Sequence, residues 1–206
     1  MRNLVLLLVI IASVGMAGCA GQSKLMQPVA TINETVNPNE AGIVFLRYAA
    51  VGGFGTFSQI PIIEASPDGK LSFVGILSPN TKLYHRTTPG RHIYFLGNVG
   101  LNVITAPIME ANLEAGAIYY SSAFVIENYG LLPSGEFIPF NLNEADGLKT
   151  LKSQLSACRW VQNTPQGQDW FLANLPSLEE KYNKYQKTKQ ENRKVIKPEY
   201  GTKTPI

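Results

Sequence analysis

A chain of 206 residues has room for one ordinary domain and a few extra elements, and 45% apolar residues suffice for a core, which excludes a wholly unfolded chain. Charged residues make up only 16%, and 18 Gly with 13 Pro indicate frequent turns, as in a protein of short strands. The net charge of +3 is small but unevenly placed along the chain.

At the amino terminus Arg2 precedes an apolar run from Leu4 to Val14, then Gly15-Met16-Ala17-Gly18 and Cys19. This is the three-part plan of a secretory signal, and the run is shorter than the roughly 20 apolar residues that cross a membrane. Met16-Ala17-Gly18-Cys19 resembles a lipobox, with methionine where leucine is commoner. In a lipobox the thiol takes a diacylglyceryl group and the chain is cut just before it, here between Gly18 and Cys19. Residues 1–18 are therefore expected to be removed and Cys19 to hold the protein to a membrane. Several acyl chains on one residue anchor stably, whereas one chain, at ~0.8 kcal/mol per CH₂, binds reversibly. By the sorting rule of enteric bacteria, Ala20 in place of aspartate implies the outer rather than the inner membrane, facing the periplasm. With Cys19 lipidated, Cys158 has no intramolecular disulfide partner.

Residues 19–39 are polar with Gly, Ser and Pro and no apolar period, and read as a flexible tether reaching ~25 Å. The sequon at Asn33 is read as chance. From Ala41 onward, β-branched and aromatic runs suggest strands at 42–48, 56–63, 70–77, 82–86, 91–96, 102–108, 118–126 and 137–142. Gly- or Pro-containing turns separate them, among them Val51-Gly52-Gly53-Phe54-Gly55 and Thr88-Pro89-Gly90. Strands at this spacing without interleaved helices predict an antiparallel β-sandwich over residues 40–142. In the 118–126 strand, Ile118, Tyr120, Phe124 and Ile126 share one face, interrupted at Ser122, with Ser121 and Ala123 on the other.

Residues 143–190 turn helical. Leu148, Leu151, Leu155 and Cys158 recur at helical spacing. Thr164-Pro165 opens a second helix ending near Asn174, and Ser177 with Glu180 forms a capping box for a third segment. Residues 191–206 read as a basic, disordered tail.

The segments Ala41-Gly42-Ile43-Val44-Phe45-Leu46-Arg47-Tyr48, Thr88-Pro89-Gly90-Arg91-His92 and Leu113-Glu114-Ala115-Gly116-Ala117-Ile118-Tyr119-Tyr120 resemble a family of small bacterial lipoproteins of unknown function. The resemblance covers about residues 41–126. It implies a compact, transthyretin-like β-sandwich attached by lipid to an envelope membrane, and brings no catalytic residues. The helical third lies outside it.

His85 and His92 are the only histidines, and can face each other across a hairpin. No Cys, Asp or Glu at ligand spacing completes a metal site, so ordinary hydrogen-bonded histidines are expected, and no cofactor. Cys158 falls on an apolar helical face and reads as a buried thiol. Arg47, Arg86 and Arg91 are candidates for an anion-binding cluster, and Phe54 at a glycine-rich tip for contact with a partner or lipid. The basic residues after Lys181 suit lipid headgroups, lipopolysaccharide phosphates or peptidoglycan carboxylates, each charge worth ~1 kcal/mol near an anionic surface. An exported chain has no occasion to meet nucleic acid.

The leading expectation is a non-enzymatic binding or scaffolding module that engages another envelope component. One alternative is a carrier of a small apolar ligand, with Tyr119, Tyr120, Trp160 and Trp170 lining a pocket between sheet and helices. Another is a hydrolase using Cys158 with a histidine.

Overall fold

The computed structural model describes residues 24–49, 59–66, 68–97, 108–126, 134–187 and 193–206. In chain order the elements are β1 (Met26–Pro28), β2 (Ala41–Arg47), β3 (Ile60–Ala65), β4 (Leu71–Leu77), β5 (Thr81–Thr87), β6 (Gly90–Leu96), β7 (Ile108–Leu113), β8 (Ile118–Ile126) and β9 (Ser134–Pro139). There follow α1 (Ala145–Ala157), β10 (Arg159–Asn163), α2 (Pro165–Gln186), β11 (Lys194–Ile196) and a 3-10 turn at Pro198–Tyr200. The expected strand at 102–108 falls, but for its last residue, outside the described residues, as do Gly18, Cys19 and the 51–55 turn with Phe54.

The protein is mainly β, with two sheets ordered β1-β10-β5-β2-β8-β9 and β11-β7-β6-β3-β4. Pairs such as β3–β4, β6–β7 and β8–β9 are antiparallel, as expected from short connections. The sheets are nevertheless mixed, because β10 runs parallel to β5, β2 to β8 and β11 to β7. A parallel neighbour requires a crossover, and the chain between β2 and β8 makes one by building β3, β4, β6 and β7 into the second sheet.

Side-chain alternation divides the interior into layers. From the first sheet Ile43, Phe45, Leu83, Tyr119 and Phe137 point toward the second, where Phe45 meets Tyr94 at 5.2 Å between ring centroids. The opposite face carries Val44, Leu46, Ile118 and Tyr120, covered by Leu151, Leu155 and Cys158. Both faces of β8 are thus buried, where the sequence pattern implied one. The outer face of the second sheet is covered by α2: Trp170 and Phe171 pack on Phe73 of β4, and Tyr182 and Tyr185 on Phe95 of β6. The result is helix, sheet, sheet, helix.

In α2 the Thr164 side chain accepts from the Gly167 amide at 3.2 Å, and Pro165 begins the helix as expected. The helix does not stop near Asn174, however, and Pro176 lies inside it. Proline costs one intrahelical bond there, but Leu178 and Tyr185, both buried, hold the following turns on the sheet. No helix among the described residues is long and apolar enough to cross a membrane.

Two segments expected to be loose are built into the fold. The tether is part of the domain from Lys24 onward: β1 pairs with β10, Met26 is 5% exposed, and the carbonyls of Asn33 and Thr35 accept from Arg86. At the other end β11 pairs with β7, Thr202 bridges Ile118, and the Ile206 amide donates to the Tyr120 hydroxyl at 3.1 Å. Long-range backbone pairing orders the stretch from Arg193 that its composition marked as a free tail.

Candidate functional site

Among the described residues, Glu64 on β3 is the centre of a polar cluster between the sheets. It sits inward in the Ile60-Pro61-Ile62-Ile63-Glu64-Ala65 run, directly opposite Ser72 of β4 and Tyr94 of β6. The facing sheet supplies His85 and Thr87 from β5, alternate residues on one face. His92 comes from β6, two residues before Tyr94 on the same face. A short turn through Gly90, whose φ of +120° suits glycine, carries the chain from β5 in one sheet to β6 in the other. The two histidines are therefore not hairpin partners. They reach the same carboxylate from opposite sheets.

Oε1 of Glu64 accepts from the Thr87 hydroxyl at 2.8 Å and the Tyr94 hydroxyl at 3.0 Å. Oε2 accepts from Ser72 at 3.0 Å and lies 3.0 Å from His85 Nε2. His92 Nδ1 is 2.9 Å from Oε1, an ion-pair distance approached off the direction of a good hydrogen bond. Its Nε2 donates to the Thr88 carbonyl at 2.9 Å. The Thr88 hydroxyl lies 3.4 Å from the same nitrogen, so the ring is held between Glu64 and Thr88.

Burial by itself raises the pKa of Glu64. The bonds from His85, His92 and Thr87 and the charge of His85 outweigh it and hold the carboxyl well below the usual carboxylate range. Burial and the adjacent carboxylate push Tyr94 the other way, well above the usual phenol value. Glu64 is 6% exposed, His92 2% and Tyr94 0%, while Ser72, His85 and Thr87 are half-buried, so the cluster is buried at its centre and reaches toward solvent on the β5 side. The carboxylate oxygens occupy the space between the two rings, where a metal ion would need nitrogens and oxygens ~2.0 Å from a common centre. Among the described residues no group of three or more His, Cys, Asp or Glu is placed to hold a metal ion.

The three candidate arginines do not meet. Arg47 and Arg86 lie at opposite ends of the β2–β5 ladder, where Arg47 is opposite Thr81 and Arg86 opposite Gly42, and Arg91 belongs to the other sheet. Arg47 is buried, donates to the Leu77 carbonyl, and has its pKa brought down by burial to about 10. Arg86 holds the Asn33 and Thr35 carbonyls and lies over the Tyr84 ring. Arg91 pairs with Glu110 at 2.9 Å, and Arg193 reaches the same carboxylate at 2.6 Å. The strand pairings fix these positions, and a conjunction of three basic residues along the sequence is not one in space.

Cys158 is packed with Val44, Leu46 and Leu155, and donates to the Arg47 carbonyl at 3.6 Å. Burial pushes its thiol up to about 11, the wrong direction for a nucleophile at neutral pH. It lies on the α1 side of the first sheet, whereas His85 and His92 meet between the sheets. The aromatic set is equally dispersed. Tyr119 faces the second sheet and Tyr120 faces α1, Trp160 packs under the Lys82 ammonium at 4.6 Å, and Trp170 lies on Phe73.

The sequence reading missed Glu64, which fell one residue beyond an expected strand end, and Glu110, which fell in a segment not read as strand. The signal for Glu64 was an acidic residue at an inward position of an apolar run. Comparison with models of known protein families finds no match, and neither does comparison with curated proteins.

Proposed function

We propose that this chain is an envelope lipoprotein, anchored through Cys19 in the outer membrane, whose periplasmic domain is a non-enzymatic binding or scaffolding module. The observation that carries the reading is the closeness of anchor and fold: the lipobox ends at Cys19, and the chain is bound into the domain from Lys24. A domain joined this closely to an acylated residue stays at the membrane surface. The placement of Cys158 on the far face of the sheet from both histidines, the separation of the arginines, and the burial of Glu64 and His92 favour binding over turnover.

The transthyretin-like resemblance over residues 41–126 supports a sandwich domain of that kind, and the parallel β2–β8 pair is where this chain departs from an all-antiparallel one. Partners suited to the module are another envelope protein, or peptidoglycan at the exposed Lys187, Lys197 and Lys203. Crosslinking intact envelopes and capturing wild type and Cys19→Ala in parallel tests the reading. The expected result is one protein or glycan enriched with wild type and depleted with the variant. Recovery of nothing above background with wild type contradicts it.

A further inference from the structure

We infer that the sandwich edge formed by β1, β10 and the first two turns of α2 is the face that rests on the lipid headgroups. The inference rests on acylation of Cys19 and adds an orientation to it. Seven residue steps separate Cys19 from Met26. At most ~3.6 Å each, they place β1 within ~25 Å of the lipidated residue.

The point where the chain joins the domain is fixed. The Lys24 carbonyl accepts from the Thr164 hydroxyl at 3.2 Å and the Leu25 carbonyl from the Thr164 amide at 3.2 Å. Val29 donates to the Trp160 carbonyl at 3.1 Å, and Met26 is buried with its sulfur accepting from the Ile76 amide. A pull from the lipid is therefore delivered to the start of α2 and to β10.

The chemistry of that edge suits an interface. Lys24, Gln27, Pro28, Gln162 and Gln166 are exposed there, with Arg159 of β10 and Asp169 of α2, so the edge offers two cations, one anion and neutral amides. Leu172, at 56% the most exposed large apolar side chain among the described residues, follows five residues after Gly167, which abuts the Leu25 carbonyl. Five residues of helix advance ~7.5 Å and turn ~140°, so Leu172 stands at the same end of α2 as the attachment point but round the helix from Gly167. Single exposed leucines are ordinary on a protein surface, and its position here gives it a use.

The opposite edge carries β11, four strand positions from β4 in the second sheet. At ~4.8 Å per strand that is ~19 Å, about two Debye lengths at physiological salt. The basic C-terminal segment is thereby turned away from the membrane that holds the anchor, toward whatever lies deeper in the periplasm.

The test uses the full lipidated protein, purified from membranes and placed in phosphatidylethanolamine–phosphatidylglycerol vesicles carrying nitroxide-labelled lipid. Fluorophores are attached at Gln166→Cys, Leu172→Cys or Val195→Cys in a Cys158→Ala background, and quenching is read for each. Quenching at least three-fold stronger at positions 166 and 172 than at 195 is expected. Equal or reversed quenching, in protein that still floats with the vesicles and carries its acyl chains, overturns the orientation while leaving the anchor intact. Protein that neither floats nor carries acyl chains overturns both.

Discussion

Glu64 and Glu110 are buried to the same degree, each 6% exposed, on the same sheet, yet they serve different ends. Glu64 points inward and is met by two histidines and three hydroxyls from three strands. Glu110 points outward and is met by Arg91, whose side chain is 56% exposed, and by Arg193, which also donates to the Gln186 carbonyl. The first closes the gap between sheets. The second clasps the chain after α2 against the sheet edge and so sets β11 beside β7. A carboxylate's worth depends on what its partners hold together, and the same degree of burial says nothing about which it is.

Removing the inward carboxylate is expected to have the largest effect on the core. Glu64→Gln puts an amide donor where three hydroxyls and the His85 ring converge, and is expected to cost ~1–3 kcal/mol of unfolding free energy, read from the urea midpoint. A cost below ~1 kcal/mol would mean that the centre of the cluster is solvated rather than buried.

Acid sharpens the same contrast. Both carboxyls have folded-state pKa values below the ordinary 4.5, so each contributes stability that is complete above that value and is lost as pH falls below it. Glu64 is depressed further, against a stronger opposing effect of burial. Chemical denaturation between pH 6 and pH 3 is expected to show stability falling steeply in wild type and less steeply in Glu64→Gln. Parallel slopes would place the acid sensitivity elsewhere.

Arg193→Ala is expected to release the clasp without opening the core. It removes a charged hydrogen bond worth ~1.5–3 kcal/mol, while exchange of amides in residues 193–206 rises more than exchange in β2 or β8. Uniform loss of protection would show that the C-terminal segment and the sandwich unfold as one unit. Arg91→Ala, at the exposed side of the same carboxylate, is expected to cost no more than ~0.5 kcal/mol and less at high salt.

What the sequence revealed follows from range. Strands such as β4, β6 and β8 carry enough apolar alternation to be read within a residue of their observed limits, because each buries several side chains through its own pattern. β10 does not: of Arg159-Trp160-Val161-Gln162-Asn163 only Val161 is buried, and it is a strand because β1 and β5 flank it. The same holds for β1 and β11, three residues each, held by partners far away in the chain. The capping-box pattern at Ser177 and Glu180 misled in the opposite sense, since the helix runs through it, Pro176 included, where Leu178 and Tyr185 pack on the second sheet. The Glu64 cluster gathers residues from 64 to 94, and nothing in their spacing announces that a turn at Gly90 passes between sheets.

The anchor at Cys19 is the claim on which both the function and the orientation stand, and the mass of the mature amino-terminal peptide tests it most directly. Protein extracted from membranes with detergent and cut with trypsin is expected to yield a peptide running from Cys19 to Lys24, heavier by a diacylglyceryl group. An unmodified peptide beginning elsewhere, or one retaining residues 1–18, would contradict the account.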